Sequence, residues 1–197
     1  KYGTLPFFLF SRVAFIYTKI LKTFVKKGIL NQKDYILFYE SADTLTKNMF
    51  KDLKKIDKKK NKDSFLKKYG HLRPSTYHLD SKNYKENFHK YFSQKILIKA
   101  KNKNKFKITN HLKLTINRIL KKNKLKTNCY DFFNNAKRSI QYREYAKFIF
   151  SKSINEIFIN LIKLGKEVKI HRKDLDYLSI KNIINFYSNV NVKKLKK

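Results

Sequence analysis

Apolar residues recur every three or four positions through most of the chain, which predicts a protein built from α-helices. A first helix is predicted over about residues 6–27, with Thr4 and Pro6 at its start and Gly28 at its end. No stretch alternates apolar and polar residues over a convincing length. The sequence therefore predicts an all-α fold, an irregular multi-helix domain with one long polar loop.

Further helical patterns follow along the chain. The second begins at Asn31, and its apolar spacing continues to Ile56. Thr109 or Asn110 can cap a later helix, and Gly165 is expected to end the longest one. The remaining helices are predicted over about residues 64–69, 84–92, 111–120, 130–164 and 179–187.

The charge of the chain is far from zero. It contains 48 Lys and Arg residues and 14 Asp and Glu residues, which gives a formal net charge of +34. Such a charge is typical of proteins that neutralise nucleic-acid phosphates. The lysines are scattered over every segment, however, instead of forming one patch. Lys, Asn, Ile, Phe and Tyr are all abundant, and an AT-rich genome favours these residues without any selection for a ligand. A basic RNA-binding or ribosomal protein stays open as an alternative, with nucleic acid the less favoured partner.

Cysteine content and hydropathy indicate the cellular compartment to expect. Cys129 is the single cysteine, so that no intrachain disulfide can form, which fits a reducing cytoplasm. Residues 5–21 are apolar enough for a signal peptide or a membrane helix, but Arg12 and Lys19 interrupt them and no small-residue cleavage site follows. We therefore expect a core helix here, a cytoplasmic protein and no membrane partner.

The segment 69–80 is the richest in chemically active side chains. It combines an imidazole, a guanidinium, hydroxyls, phenols and a carboxylate in one irregular stretch. Arg73 can bind a phosphoryl or carboxylate group through paired hydrogen bonds, and His71 can donate a hydrogen bond or move a proton near neutral pH. The alternative is that both side chains only satisfy helix ends.

Two helical segments carry further candidates. Arg143 and Lys147 lie four residues apart on one helix face, where two cations repel unless an anion lies between them. Glu144 is adjacent and could bind an amine or an amide, or form a local salt bridge that contributes little. Arg12 lies within an apolar helix, so we expect a ligand anion or a buried carboxylate beside it.

Several segments, in order, are similar to one enzyme family. Residues 65–77 read FLKKYGHLRPSTY, residues 5–16 read LPFFLFSRVAFI, and residues 143–152 read REYAKFIFSK. They resemble the loop YGHLRPGTYD and the helices FAxxAR-AFI and REYAKFxFTK of phosphoenolpyruvate-synthase-like or pyruvate-phosphate-dikinase-like phosphotransferases, a group that includes rifampin phosphotransferase. Residues 174–180 are similar to the segment that follows in that group. Together these segments span nearly the whole chain.

The resemblance implies a modular enzyme. In this family an ATP-grasp domain forms a phosphohistidine on a second domain, which passes the phosphoryl group to an acceptor, so that ATP, acceptor and water give phospho-acceptor, AMP and phosphate. The chain resembles the helical region between those two domains. That implies a single helical domain over residues 1–197, an internal fragment of a larger multidomain enzyme that is inactive by itself. ATP and magnesium are expected on the ATP-grasp domain, with no cofactor and no metal in this chain.

The resemblance also implies roles for individual residues. His71 and Arg73 would be catalytic, acting on the transferred phosphoryl group. The expected partners are the ATP-grasp and phosphohistidine domains of the same parent chain and a small-molecule acceptor. That acceptor is L-glutamine, as in capsule phosphoramidate synthesis, or alternatively pyruvate or another small acid. The residues expected to bind it are Arg12, Ser75, Thr76, Tyr77, Arg143, Glu144 and Lys147.

Overall fold

A computed structural model describes residues 4–56, 61–92, 105–179 and 181. These residues form helices and connecting turns, with no strand in the described part of the chain, so the all-α prediction is confirmed. The helices are α1 (Thr4–Lys26), α2 (Gln32–Ser41), α3 (Leu45–Lys54), α4 (Lys62–Tyr69), α5 (Phe88–Phe92), α6 (Asn110–Lys122), α7 (Cys129–Glu167) and α8 (Arg172–Leu175).

Helix α1 ends at a glycine in the left-handed conformation. Gly28 has a φ of 68°, which a residue without a Cβ adopts at little cost. Its N–H donates to Val25 O at 3.0 Å, and the N–H of Ile29 donates to Phe24 O at 2.9 Å. These two bonds satisfy the last carbonyl groups of the helix. The prediction that Gly28 closes the first helix is confirmed.

The core-helix prediction for residues 5–21 is only half right. In the second half of α1, Leu21 and Phe24 are buried in the core, as expected. In the first half only Ser11 and Ala14 are buried, and the large apolar side chains other than Phe7 are exposed. The hydropathy pattern could not reveal this, because both faces of the helix are apolar. By length and composition α1 is also the one helix among the described residues that could cross a membrane, with 17% of its most apolar window buried.

The single helix predicted from Asn31 to Ile56 is wrong, because it is two helices. The backbone is extended at Ala42, with φ and ψ of −71° and 125°, and again at Thr44, with −84° and 154°. Ala42 is buried nonetheless, so that the apolar spacing continues through the break. The cap at Asn31 is as predicted, since its side-chain oxygen accepts the N–H of Asp34 at 2.6 Å.

Helix α7 does not end at Gly165, contrary to the prediction. It continues to Glu167, and the chain then turns at Lys169, whose φ is 58°. The glycine serves a close approach instead, because a Cβ at this position would lie 2.5 Å from Leu175 Cδ1. The last predicted helix, which begins at Ser179, lies almost wholly outside the described residues.

The chain divides into two compact units, residues 1–55 with 97–150 and residues 56–96 with 151–197. Helix α7 supplies residues to both, because the boundary falls within it. The single domain expected over residues 1–197 stays a prediction.

The first unit has an aromatic-rich core. The ring of Phe132 lies 5.3 Å from Tyr17 and 5.7 Å from Phe24, and burial of each such side chain contributes about 1.5–3 kcal/mol. The single cysteine, Cys129, is fully buried in this core, and its burial raises the pKa of the thiol. The cluster consists of Leu21, Phe24, Leu30, Phe38, Leu112, Ile116, Leu120, Cys129, Phe132, Phe133, Ala136 and Ile140.

The second unit has a smaller aromatic cluster around Phe65. The ring of Phe65 lies 5.0 Å from Tyr69 on the same helix, 6.0 Å from Phe88 and 5.7 Å from Phe92 on α5. Tyr84 lies 4.9 Å from Phe92 and joins the loop to this cluster. Helices α4 and α5 are thereby packed together at the two ends of the loop that carries the candidate site.

Candidate functional site

The loop of residues 70–83 connects α4 to the turn before α5, and we call it the polar loop. The N–H of Tyr84 donates to Leu72 O at 2.8 Å, and the N–H of Lys85 donates to Gly70 O at 3.0 Å. These backbone bonds bring the start and the end of the polar loop together. The polar stretch predicted from the sequence is therefore an ordered loop with a defined base.

Arg73 is buried inside the polar loop, with 6% of its surface exposed. Its Nη1 donates to Ser81 O at 3.1 Å and its Nη2 donates to Asn155 Oδ1 at 2.6 Å. The guanidinium carbon lies 4.8 Å from the centre of the Phe158 ring, a cation–π distance. Burial lowers the pKa of Arg73 from its ordinary value, and a guanidinium stays charged in proteins all the same. Arg73 therefore holds the loop against α7.

A second arginine holds the other side of the polar loop. Arg172 begins α8, and its Nε donates to Leu79 O at 2.7 Å while its Nη2 donates to Ser81 O at 3.3 Å. Its Nη1 also forms a 2.8 Å ion pair with Glu86 Oε1. Ser81 O therefore accepts hydrogen bonds from the buried guanidinium of Arg73 and the partly buried one of Arg172, which fixes the backbone of the loop at this point.

The carboxylate of Glu86 is held in its charged form. Burial alone would raise the pKa of Glu86, but hydrogen bonds from Arg172 and from the N–H of Asn83, together with the charges of Arg172 and Arg73, hold that pKa below its ordinary value. Asn83 Oδ1 accepts the N–H of Glu86 at 2.8 Å in return. This reciprocal pair is a capping box, and it ends the polar loop.

Asp176 fixes the remaining part of the polar loop. Its Oδ1 accepts the N–H of Leu79 at 2.7 Å, and its Oδ2 lies 3.3 Å from His78 Nδ1. Among the described ranges no group of three or more His, Cys, Asp or Glu side chains could hold a metal ion. The role of Asp176 that the geometry shows is to bind the loop backbone.

The structure places five predicted site residues in the polar loop. Ser75 and Tyr77 are exposed, and His71 and Thr76 are partly buried. The N–H of Ser75 donates to Ser81 Oγ at 3.4 Å. Arg73, by contrast, is directed into the protein, where both terminal nitrogens have protein acceptors. Its contact with a phosphoryl group stays a prediction.

The other predicted residues lie in the first unit. Arg143 Nη2 is 3.4 Å from Glu144 Oε1, both side chains are about two-thirds buried or more, and the Arg143 guanidinium lies 5.0 Å from the Phe15 ring centre. Lys147 is partly buried on the same helix. The local salt bridge that the sequence left open is therefore present. The role of these three residues in acceptor binding stays a prediction.

Arg12 differs from its expected surroundings. It lies on the exposed side of α1, where its guanidinium carbon is 5.9 Å from the centre of the Phe8 ring. The expectation of a buried carboxylate beside it assumed that the whole helix is buried. An exposed guanidinium is solvated and needs no such partner.

Comparisons with known proteins add no relative. The chain matches no protein-family model, no curated protein and no solved structure. The resemblance to phosphoenolpyruvate-synthase-like enzymes therefore rests on the ordered sequence segments alone. Of these, residues 65–77 include the start of the polar loop, and residues 174–180 include Asp176, which binds its backbone.

The sequence patterns did not identify Asn155 and Arg172 as residues that bind the polar loop. Asn155 and Arg172 lie far from the loop along the chain, and no local pattern connects them to Arg73 or Leu79. One signal was available, because Asn83 followed three residues later by Glu86 is the spacing of a capping box. A polar Asn155 within the apolar stripe of a helix was a second, weaker signal.

Proposed function

We propose that this chain is the substrate-side helical domain of an ATP-dependent dikinase-type phosphotransferase, and that the polar loop binds the small-molecule acceptor. The overall reaction converts ATP, acceptor and water to phospho-acceptor, AMP and phosphate, through a phosphohistidine on another domain of the parent chain. One observation carries the proposal: the polar loop, whose first half lies in the segment that resembles the family loop, has its backbone bound by Arg73 and Arg172 while it exposes Ser75 and Tyr77.

Rigidity supports a binding role because an ordered loop loses little conformational entropy when a ligand binds. The polar loop contains hydrogen-bonding side chains that are exposed, on a backbone fixed by buried charges. Binding groups are placed most reliably when a second set of residues fixes their positions. Arg73, Arg172 and Asp176 supply that second set for the polar loop.

We assign Arg73 first as a positioning residue. A guanidinium has five N–H donors, and the bonds to Ser81 O and Asn155 Oδ1 use two of them. Further donors could stabilise the charge of a transferred phosphoryl group, as the family resemblance implies. His71 is the candidate for proton transfer or for a hydrogen bond to the same group.

L-glutamine is the acceptor that these side chains favour over pyruvate. The hydroxyl groups of Ser75, Thr76 and Tyr77 both donate and accept hydrogen bonds. A glutamine side-chain amide offers donors and an acceptor, whereas pyruvate offers acceptors only. The proposal therefore names the L-glutamine kinase activity of capsule phosphoramidate synthesis, with small-acid phosphorylation as the alternative within the same enzyme class.

Nuclear magnetic resonance on the ¹⁵N-labelled chain tests the binding step. Titration with L-glutamine is expected to shift backbone amide resonances within the polar loop, and pyruvate is expected to shift them less. Tyr77→Phe should weaken the L-glutamine response severalfold, whereas Tyr130→Phe, another exposed tyrosine, should leave it unchanged. Shifts elsewhere in the chain, or none at all, would contradict the assignment of the polar loop.

Transfer assays on the intact parent enzyme separate positioning from catalysis. If Arg73 only positions the loop, Asn155→Ala should reduce phosphoryl transfer about as much as Arg73→Ala, because both variants release the polar loop from α7. Asn155→Ala removes the acceptor of Arg73 and Asn83, and Arg73→Ala removes the donor to Asn155 and Ser81. If the guanidinium also contacts the phosphoryl group, Arg73→Ala should reduce phosphoryl transfer more than Asn155→Ala does. Unchanged transfer in Arg73→Ala would contradict both roles.

RNA binding is the second candidate, and one sequence feature favours it. Residues 87–130 contain thirteen Lys and Arg residues and no Asp or Glu. Binding of a phosphate backbone by such a segment should weaken by about 0.9 log units per phosphate contact for each log unit of salt. A fluorescence titration with single-stranded RNA over a range of salt concentrations tests this directly.

A further inference from the structure

The first half of α1 presents an apolar surface to the solvent. Seven large apolar side chains there are between 38% and 60% exposed. Ser11 and Ala14, both small, are the buried residues of this half, so the small side chains face the protein with half-buried Phe7, and the other large ones face outward. Soluble monomers rarely expose a contiguous apolar patch of this kind without a partner. The seven residues are Leu5, Phe8, Leu9, Phe10, Val13, Phe15 and Ile16.

The exposed surface continues onto α7 within the same unit. Tyr142, Tyr145 and Ile149 follow at spacings of three and four residues, which places them on one helix face, and they are 52%, 58% and 42% exposed. The rings of Phe10 and Tyr142 are 5.5 Å apart and join the two sets. We call these ten residues the α1–α7 apolar surface.

Positive charge borders this surface, and negative charge is absent from α1. Lys19, Lys22 and Lys26 are exposed at spacings of three and four in the second half of α1. Residues 1–33 contain no Asp or Glu. The exposed side of α1 is therefore apolar in the first half of the helix and cationic in the second half. Arg12 is the one charged residue within the apolar half. An arginine there can keep its charged end in water while its stem covers apolar surface.

We propose that the α1–α7 apolar surface docks on the face of an anionic lipid bilayer. The leucine, phenylalanine and isoleucine side chains enter the boundary between headgroups and acyl chains, and the lysines bind the anionic headgroups. Tyr142 and Tyr145 suit the headgroup level, where tyrosine is enriched. This inference goes beyond the proposed phosphotransferase role, and it revises the expectation of no membrane partner.

Other occupants fit these observations less well. Protein interfaces contain about one hydrogen bond per 100–200 Å², but the apolar half of α1 exposes seven side chains without any hydrogen-bonding group. A second copy of the chain would bring two formal charges of +34 together. A nucleic acid would meet the lysines but leave the apolar side chains uncovered.

Vesicle flotation with the whole chain tests the apolar half of the proposal. The chain is expected to bind vesicles of phosphatidylcholine mixed with phosphatidylglycerol, and to bind pure phosphatidylcholine at least about tenfold more weakly. The double variant Phe8→Glu, Leu9→Glu should lower binding to the mixed vesicles by at least about tenfold. Leu114→Glu is the control, because Leu114 is 66% exposed on α6 and lies outside the surface. Far-ultraviolet circular dichroism verifies that each variant keeps its helices.

The cationic half is tested with a charge-matched pair of triple variants. Replacement of Lys19, Lys22 and Lys26 by Gln should weaken binding about fivefold for each lysine, and so about a hundredfold together. The same replacement at three exposed lysines of other segments, Lys121, Lys122 and Lys126, removes equal charge and should have a much smaller effect. Equal losses in the two triple variants, equal binding to both vesicle types, or no binding overturns the proposal. Sedimentation that shows self-association abolished by Phe8→Glu, Leu9→Glu overturns it too, in favour of a second copy of the chain.

Discussion

Arg73 Nη2 donates a 2.6 Å hydrogen bond to Asn155 Oδ1, which joins residues 82 positions apart. The same oxygen accepts Asn83 Nδ2 at 3.0 Å. One amide of α7 therefore satisfies donors from both ends of the polar loop. Because hydrogen bonds between charged and polar groups strengthen in surroundings of low polarity, this contact is central to the order of the loop.

Asn155→Ala is expected to destabilise the protein by about 3 kcal/mol. The substitution leaves the buried Arg73 guanidinium and the Asn83 amide without an acceptor, and an unsatisfied buried donor costs more when it carries a charge. Urea unfolding followed by circular dichroism measures the change. Asn160→Ala, an exposed position on the same helix, is the control and should change the free energy of unfolding by less than about 0.5 kcal/mol. Equal effects would show that the Asn155 contact does not stabilise the fold.

The ion pair of Arg172 and Glu86 predicts a loss of stability in acid. The pKa of Glu86 is lower in the folded protein than its ordinary value of 4.5, because the hydrogen bonds and charges around it outweigh burial. Its stabilising contribution is therefore complete above that ordinary pKa, and it is lost as the pH falls through the lower folded-state pKa. Unfolding temperatures of the wild type and of Glu86→Gln, measured from neutral pH to below pH 4.5, should differ at neutral pH and converge in acid. A constant difference over the whole range would contradict this linkage.

Local signals predicted the helices of this chain better than they predicted the contacts of the site. Asn31 was recognised as a cap, and Thr109 as one of two candidates with Asn110, because a cap depends on residues within one turn. The break at Ala42 was missed because a buried alanine continues the apolar spacing whatever the backbone does. The length of α7 was misjudged because a glycine can end a helix or permit a close approach, and only the position of Leu175 decides between them.

The candidate site shows the same limit. The polar loop was recognised from its composition, but the direction of the Arg73 side chain depends on Asn155 and Phe158, which no local pattern relates to it. The exposure of α1 depends likewise on which face packs against α7, through pairs such as Phe7 and Phe150 at 5.7 Å. Apolar residues on both faces of a helix leave that choice to the tertiary structure.

Gly165→Ala is expected to destabilise the second unit by about 1–3 kcal/mol. An added Cβ would lie 2.5 Å from Leu175 Cδ1 and 3.2 Å from Ile170 O, so that α8 must shift or the leucine must leave its site. Alanine would otherwise favour a helix interior by about 1 kcal/mol, which makes the sign of the effect informative. Lys166→Ala, at the next and exposed position, should be near neutral or slightly stabilising in the same urea titration. A stabilised Gly165→Ala would show that α7 and α8 do not approach as closely as described.

Ser11→Ala is expected to stabilise the protein by about 1 kcal/mol. Ser11 Oγ is buried, and no hydrogen-bond partner for it lies among the described residues, so that its removal abolishes a desolvation penalty and improves helix propensity. Ser139→Ala is the matched control, because Ser139 is also buried on a helix but its Oγ donates to Ala136 O at 2.8 Å. Loss of that bond should offset the gain in propensity and leave Ser139→Ala neutral or destabilised. If urea titrations showed that the two variants change the free energy of unfolding alike, the hydroxyl of Ser11 would have a partner that satisfies it.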